Sequence, residues 1–403
     1  MNPIFTLIKT NPFILLRNRA RCGARLPNRS AINSKVFWLM LPFLIARCGY
    51  AQGNLNPPGA PAPMFKTLYQ VEPRIPIEIV PTNITVPGSY YLVTNFTGTA
   101  GMNGITISVD NVTLDLNGFA LIGVSGSSNG VFATASLNNI AVRNGTVRNW
   151  TRWGADLGNA LNNQLTELRA SHNSGGGMRA GTGGLLLRCV ATLNATYGLY
   201  AYNGSVVRES AAFSNTGDGI TTSFSSTIAD CSSYANNGAS ANGIVAGSGT
   251  QIRGCSADGN TGGGIVTAGR CLIVNCEASD NTQLGIWPND GTLIRECTVA
   301  NNAGGGIRVG NYCSIVENMC TVNSQFGTNA AIRVTGLGNR IESNHLASNH
   351  RALEISSAGN LIIRNSTAGN SVADLITGAQ TAGPTVTSAN IGTSSNPHAN
   401  YDF

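Results

Sequence analysis

The sequence predicts an all-β fold, a single-stranded right-handed parallel β-helix in which the chain winds into a solenoid of about 12 coils. Two observations predict it: a short repeat that runs through most of the chain, and glycine or asparagine residues that interrupt it every five to seven positions. The composition agrees, with 42% hydrophobic residues but only 11% charged and 6% aromatic. Such a composition is typical of a long, thin core of small aliphatic side chains.

The repeat is a glycine followed by an aliphatic residue, with spacings of 21, 21, 24, 21, 21 and 21 residues. Its clearest copies begin at Gly177, Gly198, Gly219, Gly243, Gly264, Gly285 and Gly306. Asparagine recurs in phase with it, at Asn173, Asn194, Asn215, Asn236, Asn260, Asn281, Asn302, Asn323, Asn349 and Asn370. Cysteine holds a third in-phase position, at Cys189, Cys231, Cys255, Cys276 and Cys297.

The frequent interruptions exclude a helical repeat, because they leave no room for a helix of about ten residues. Between them lie runs of three to five residues, rich in Ile, Val and Thr, that suit short strands. Parallel strands cannot be joined by hairpins, so the chain must return one rung higher, by about 4.8 Å. We therefore interpret the asparagines as a hydrogen-bonded column along the rod and the cysteines as buried thiols that fill the core.

The first 51 residues predict a signal peptide, since a basic stretch precedes an apolar run of about 11 residues that is too short to span a membrane. Residues 52–65 predict a Pro/Gly linker. Eight of the 25 basic residues lie before residue 52, where no acidic residue occurs, so 17 basic and 19 acidic residues remain beyond it. This charge balance argues against nucleic acid as a partner. We expect a secreted, cell-surface or periplasmic protein without a membrane span after signal cleavage.

The region from residue 66 onward also resembles a known family. The resemblance rests on four segments: residues 71–77 (VEPRIPI), 87–92 (PGSYYL), 111–119 (NVTLDLNGF) and 396–403 (NPHANYDF). They are similar to the pectate-lyase-like right-handed β-helix superfamily, in particular to its bacterial secreted proteins of undetermined function. The resemblance implies an N-terminal cap at 66–103, a β-helix at 104–375 and a C-terminal cap at 376–403.

Members of that superfamily include lyases, polygalacturonases, alginate epimerases and phage tailspikes, and their active sites lie on the outer face of the first strand of each coil. Side chains alternate along a strand, so the residue two positions after the repeat glycine points outward. The outward row predicted on this basis is Asp156, Arg179, Tyr200, Thr221, Val245, Val266, Trp287, Arg308, Arg333 and Glu354.

The end of this row is the predicted substrate-binding site: Trp287, Arg308, Arg333 and Glu354. Trp287 can stack on a sugar ring, and the arginines can bind a uronate carboxylate through paired hydrogen bonds. The candidate catalytic residues are Arg308, Arg333 and Glu354, with proton abstraction next to the carboxylate as the chemistry. A weaker binding cluster is predicted at Asp156, Arg179, Tyr200 and Tyr202. The alternative interpretation is that these charges serve solubility, and that Arg333 and Glu354 form a surface ion pair worth less than about 1 kcal/mol.

Two functional hypotheses follow. The first is a protein that binds an acidic polysaccharide along this outer face and, as an enzyme, cleaves or epimerises it. A lyase or epimerase is then expected, because a glycosidase needs two carboxylates about 5–9.5 Å apart. The second is a non-catalytic adhesion or structural module. Neither a Cys-x-x-Cys motif nor a histidine cluster occurs, so no metal and no cofactor are expected. The oligomeric state stays open.

Overall fold

The computed structural model describes residue 66 and residues 71–134, 136–325, 327 and 329–403. These residues form a parallel β-solenoid of about 14 turns, more than the expected 12. Each coil contributes one strand to each of three ladders, which we name the first, second and third ladder. From residue 72 onward the described residues form no α-helix, and one 3-10 helix spans Ile391–Thr393. The predicted signal peptide and linker, residues 1–51 and 52–65, lie outside the described residues.

The first ladder is a sheet of 14 short parallel strands. Its strands are Thr82–Ile84, Ile105–Ile107, Val131–Ala133, Ala155–Leu157, Met178–Ala180, Leu199–Ala201, Ile220–Thr222, Ile244–Ala246, Ile265–Thr267, Leu284–Pro288, Gly305–Val309, Ala330–Val334, Arg351–Ile355 and Leu375–Ile376. Residues one and three positions after each repeat glycine are buried, as in Ile265 and Thr267, because they point into the core.

The second ladder follows the first bend of each coil. Its strands are Ile75–Ile77, Gly88–Leu92, Val112–Asp115, Ile140–Arg148, Gln164–Ser171, Leu185–Leu187, Val206–Arg208, Thr227–Ala229, Gln251–Arg253, Leu272–Val274, Leu293–Arg295, Ser314–Val316, Arg340–Glu342, Leu361–Ile363 and Thr381–Ala382. Ile140–Arg148 and Gln164–Ser171 continue through the second bend, so they belong to the third ladder as well.

The third ladder completes the coil. Its remaining strands are Phe96–Thr97, Ala120–Ile122, Val190–Thr192, Ala211–Phe213, Ser232–Tyr234, Ser256–Asp258, Glu277–Ser279, Thr298–Ala300, Met319–Thr321, His345–Ala347, Ser366–Ala368 and Asn400–Asp402, with Thr385–Thr387 paired beside the last of these. All strand pairs within the described residues are parallel, which fits a chain that turns in one direction throughout.

Each coil has three bends, and each bend contains a residue with positive φ. The side chain of the next residue points into the core. At the second bend the positive-φ residues are Asn144, Glu167, Arg188, Glu209, Asp230, Gly254, Asn275, Glu296, Glu317, Ser343 and Arg364. At the third bend they include Leu193, Ser214, Ala235, Gly259, Asp280, Asn301, Val322, Ser348 and Gly369. A left-handed residue between two extended ones turns the chain sharply, and this explains why turn residues recur every five to seven positions.

The residue after each third bend forms the asparagine column. Asn215 Nδ2 donates to Asn236 Oδ1 at 3.1 Å and to the carbonyl of Ala191 at 3.1 Å, and its backbone N–H donates to Asn236 Oδ1 at 3.0 Å. The same pattern links Asn173 to Asn194 and continues along the rod. The side chains thereby replace the backbone hydrogen bonds that the bends interrupt.

The residue after each second bend forms the cysteine column, which continues as Asn318, Asn344 and Asn365 toward the C-terminus. Cys271 and Cys313 lie in the equivalent column of the first bend. All eight cysteines of the described residues are buried and free. Burial raises the pKa of the Cys189 thiol to about 12, so this thiol is held in its neutral form.

The segment expected to be an N-terminal cap already contributes strands to all three ladders: Thr82–Ile84 pairs with Ile105–Ile107, Ile75–Ile77 with Gly88–Leu92, and Phe96–Thr97 with Ala120–Ile122. This segment accounts for part of the higher number of coils. A cap function for the outermost residues at either end stays a prediction. Within the described ranges, no helix has the length and apolar content required to cross a membrane.

Candidate functional site

The outer face of the first ladder carries the row of residues singled out in the sequence. Asp156 pairs with Arg179, Arg179 with Tyr200, and the register continues without a shift through Thr221, Val245, Val266 and Trp287. Beyond Trp287, Arg308 pairs with Arg333 and Arg333 with Glu354. One residue per rung therefore faces outward at the same position, about 4.8 Å from its neighbours.

An outward direction does not leave every residue of this row exposed to solvent. Asp156 is only 3% exposed, and the Glu354 side chain only 14%, whereas Trp287 reaches 37%. The reason is that the carboxylates bind arginines on the adjacent rungs, which brings both partners down onto the sheet.

The Asp156–Arg179 pair is a bidentate ion pair. Arg179 Nε donates to Asp156 Oδ1 at 2.7 Å and Arg179 Nη2 donates to Asp156 Oδ2 at 2.6 Å. Burial by itself lowers the pKa of Arg179, but the hydrogen bonds and the charge of Asp156 raise it above its ordinary value. Arg179 therefore stays charged, and its two charge-assisted hydrogen bonds hold it on Asp156.

Four aromatic rings surround this pair. The rings of Trp153 and Tyr197 are parallel with centroids 6.4 Å apart, and Tyr200 contacts both Tyr197 and Tyr202 edge to face at 5.3 Å. The Arg179 guanidinium lies over the Trp153 ring at 5.1 Å. Gly176 leaves the space for this tryptophan, because a Cβ at that position would overlap the indole. We call these four rings the aromatic cluster.

The predicted weaker cluster included Tyr200 and Tyr202 but neither Trp153 nor Tyr197. Both missed contacts arise in the bend before the first ladder, where residues of successive coils come together. Tyr197 immediately precedes a repeat glycine, and Gly176 holds the same position one coil earlier. The position of Tyr197 in the repeat could therefore have placed it in this bend.

The second predicted group is brought together in part. The Arg308 guanidinium lies over the Trp287 ring at 5.3 Å. Arg333 Nε lies 3.2 Å from Glu354 Oε1, and Arg333 Nη1 donates to Asn329 Oδ1 at 3.1 Å. Arg308 makes no ion pair with any residue in the described part of the chain, unlike Arg179 and Arg333.

The two carboxylates of the row are held by arginines and lie far from each other. Nine rungs separate Asp156 from Glu354, a distance on the order of 40 Å. A two-carboxylate glycosidase site requires about 5–9.5 Å, so this pair does not form one. Among the described residues, no group of three or more His, Cys, Asp or Glu side chains is placed to hold a metal ion.

A groove of about 830 Å³ runs along the second bend, on a different part of the coil. Its lining includes Glu209, Asp230, Glu277 and Glu296 above the thiols of the cysteine column. Arg208 lies 3.9 Å from Glu209, and Arg295 lies 3.3 Å from Glu296, as expected for solvated pairs. This groove was not predicted from the sequence, although acidic residues recur in phase at the second bend, as at Glu209, Asp230 and Glu296.

Comparisons with known proteins agree with the fold. A family model described as the right handed beta helix region matches residues 223–325. No curated protein sequence matches the chain. The A-module of the mannuronan C-5 epimerase AlgE4 of Azotobacter vinelandii is 17% identical, with 73% of this chain and 90% of that chain covered at a TM-score of 0.50.

A second solved structure, a double mutant of the tailspike protein of E. coli bacteriophage HK620, is 10% identical, with 78% of this chain and 72% of that chain covered at a TM-score of 0.50. At such identities the likeness shows the fold and its handedness alone. The stacked ladders, the family match and these likenesses agree on a right-handed parallel β-helix fold.

Proposed function

We propose that this protein binds a polysaccharide along the outer face of the first ladder. The observation that carries the proposal is the aromatic cluster, in which four rings contact one another beside a charged pair on that face. Sugar rings present flat apolar faces that stack on aromatic side chains, while their hydroxyls take hydrogen bonds from neighbouring polar groups. Trp287, half-exposed on the same row, offers a further stacking surface.

An acidic polysaccharide is the class of ligand that the charges favour. Arg308 is half-buried, lies over an aromatic ring and has no carboxylate partner in the described residues, so it can bind a sugar carboxylate. Arg333 stands on the next rung and adds positive charge, although Glu354 offsets it. One relative by fold is named as an enzyme of mannuronan, which supports a glycan ligand.

Binding is supported more strongly than turnover. The two carboxylates of the row are bound to arginines, and neither is free to act as a base or nucleophile. The observation in favour of a lyase or epimerase is Arg308, which is suitably placed to stabilise the negative charge that develops when the proton next to a carboxylate is removed. A non-catalytic adhesion module uses the same face without that step. The proposed location is outside the cytoplasm, secreted, at the cell surface or in the periplasm.

A glycan panel with matched variants tests binding. We expect acidic polysaccharides to bind, and Arg308→Gln and Tyr200→Ala to weaken binding at least about tenfold, since each removes a direct contact worth about 1.4 kcal/mol or more. Arg295→Gln on the second ladder and Tyr234→Ala on the third are matched controls, because both are exposed and lie on other faces. Absence of binding to every glycan, or equal losses in the controls, contradicts the proposal.

The enzymatic candidate needs a separate measurement. Incubation with each bound glycan is followed by the absorbance of unsaturated products for a lyase and by NMR of C-5 inversion for an epimerase. Turnover that Arg308→Gln and Arg333→Gln abolish, with binding retained by Arg333→Gln, supports the enzyme. Binding without either product leaves the adhesion module as the function.

A further inference from the structure

We infer that the outer face of the first ladder holds two subsites of different charge, separated by a fixed spacer, and that it selects an extended polysaccharide in which neutral and anionic sugars both occur. The neutral subsite is the aromatic cluster, and the anionic subsite is the Trp287–Arg308 pair. This inference rests on the proposed function and goes further, because it specifies the sugar type at each subsite, the alignment of the glycan with the rod and a minimum length.

The neutral subsite offers rings without net charge. Asp156 cancels the charge of Arg179 through two hydrogen bonds shorter than 2.8 Å. Arg152 and Asp218, the next charged residues along the bend before the first ladder, have opposite signs. A carboxylate placed over Tyr200 would gain no net attraction and would lose its hydration, so an uncharged sugar is favoured there.

The anionic subsite has an excess of positive charge. Arg308 and Arg333 are direct neighbours on adjacent rungs, and Glu354 compensates for only one of them. The Trp287 ring keeps the Arg308 guanidinium over the sheet by a cation–π contact. A sugar carboxylate beside Arg308 therefore gains charge-assisted hydrogen bonds, and the neighbouring sugar one rung earlier can stack on Trp287.

The spacer consists of Thr221, Val245 and Val266, which are half-buried and uncharged. Five rungs lead from Tyr200 to Arg308, so the aromatic cluster and the carboxylate-binding arginine are about 24 Å apart along the rod. In an alternating chain, sugars five units apart differ in type, so a neutral unit at Tyr200 places a uronate at Arg308. Because one rung rises by nearly the length of one pyranose unit in an extended chain, a polysaccharide parallel to the rod can keep step with the ladder. Short oligosaccharides reach one subsite, whereas longer ones reach both.

Attachment at two points predicts a step in affinity with chain length. Once one subsite is occupied, binding at the other becomes intramolecular and gains from a high effective concentration. We expect affinity to rise at least about tenfold when fragments become long enough to span both subsites, and this step to disappear when either subsite is removed.

The experiment uses three series of oligosaccharides, each from about two to about twelve sugars: hyaluronan fragments, in which neutral and uronate units alternate, fully anionic oligogalacturonates, and neutral cello-oligosaccharides. Isothermal titration compares the full chain with Tyr200→Ala and Arg308→Gln. We expect the rise in affinity with length in the alternating series only. The binding of oligogalacturonates should depend on Arg308, and the binding of cello-oligosaccharides should depend on Tyr200.

Two further variants keep the test valid if a substitution disturbs folding. Tyr200→Phe retains the ring and is expected to retain the step, and Arg308→Lys retains the charge and is expected to retain a reduced step. Binding of glycans with no dependence on length, or equal losses in all three series, overturns the two-subsite inference while leaving polysaccharide binding intact. Absence of binding in every series overturns both proposals.

Discussion

At the scale of single residues, the bends set the strongest local constraint. Each coil places non-glycine residues in the left-handed region, including Leu193, Ala235 and the β-branched Val322. Asparagine adopts this conformation with little strain, whereas a β-branched side chain clashes with the backbone. Asn301 holds the equivalent position of this bend one coil before Val322. The chain itself therefore contains the better residue for this position.

Val322→Asn is expected to stabilise the protein by about 1 kcal/mol, because the left-handed backbone costs an L-residue about 1–2 kcal/mol and asparagine less. The midpoint of thermal unfolding measures it. Val316→Asn is the matched control, since Val316 is also half-buried but lies in a strand with ordinary φ. A higher midpoint for Val316→Asn than for Val322→Asn would contradict the strain at the bend.

The Cys189 thiol gives a prediction for pH. Burial raises its pKa to about 12, whereas in the unfolded chain a thiol has a pKa of about 8.5. Above the unfolded value the unfolded chain releases the proton and the folded chain retains it, so the free energy of unfolding falls as pH rises. Between pH 8 and pH 10 this thiol accounts for a loss of about 2 kcal/mol.

Cys189→Ala is expected to reduce the loss of stability between pH 8 and pH 10 by that amount, as measured by urea unfolding at each pH. Ser210→Ala is the control, because Ser210 holds the same column position one rung further and does not titrate. It should lower stability at every pH without changing the slope. An unchanged slope in Cys189→Ala would show that the thiol is not buried as described.

At the scale of elements, the columns rather than the strands account for the regularity of the coil. Strands of three residues make few hydrogen bonds of their own, and each bend leaves backbone groups without partners. The asparagine column satisfies them: its amide donates to a carbonyl in the preceding coil and to the next asparagine. A buried network of this kind is stable only when every member is present.

Asn215→Ala is therefore expected to destabilise the protein by about 3 kcal/mol, because it leaves buried donors and acceptors of Asn194 and Asn236 without partners. Asn203→Ala is the matched control, since Asn203 is exposed and its Oδ1 accepts only a 3.3 Å hydrogen bond from the Phe224 N–H. We expect it to cost about 0.5 kcal/mol. Equal effects of the two variants on chemical unfolding would exclude the column as a source of stability.

At the scale of the whole molecule, each coil contacts mainly the coils before and after it. Stability in such a solenoid is a sum of terms from single coils and their interfaces. The number of coils is then adjustable, provided that the three columns stay in phase. It also follows that the separation of the two proposed subsites depends on the number of coils between them.

Deletion of residues 244–264 removes one complete repeat and joins Gly243 to Ile265, which restores the glycine–isoleucine step. We expect the shortened protein to fold with unchanged β-sheet content by circular dichroism and to bring the two subsites one rung closer, about 4.8 Å. Because sugars an even number of units apart in an alternating chain are of the same type, the affinity step for hyaluronan fragments should then disappear. Deletion of residues 244–259 is the control, since it breaks the phase of every column; if both deletions unfold equally, the coils are not independent units.

The sequence by itself determined the fold and its register. A side chain's direction depends on its place in a strand, and a strict repeat assigns that place, so the outward row from Asp156 to Glu354 could be read directly. The columns of Asn and Cys followed for the same reason. The repeat did not predict the coils at the ends of the solenoid, because strands such as Thr82–Ile84 stack in the ladder without a repeat glycine before them.

Only the tertiary structure decided which outward residues act together. Asp156 and Arg179 bury each other's charge, and Trp153 approaches Tyr197 across Gly176. Arg308 stays free of carboxylates in the described residues while Arg333 does not. These differences arise from contacts between coils through the bends and from the side-chain rotamers, and a one-dimensional repeat contains no information about either.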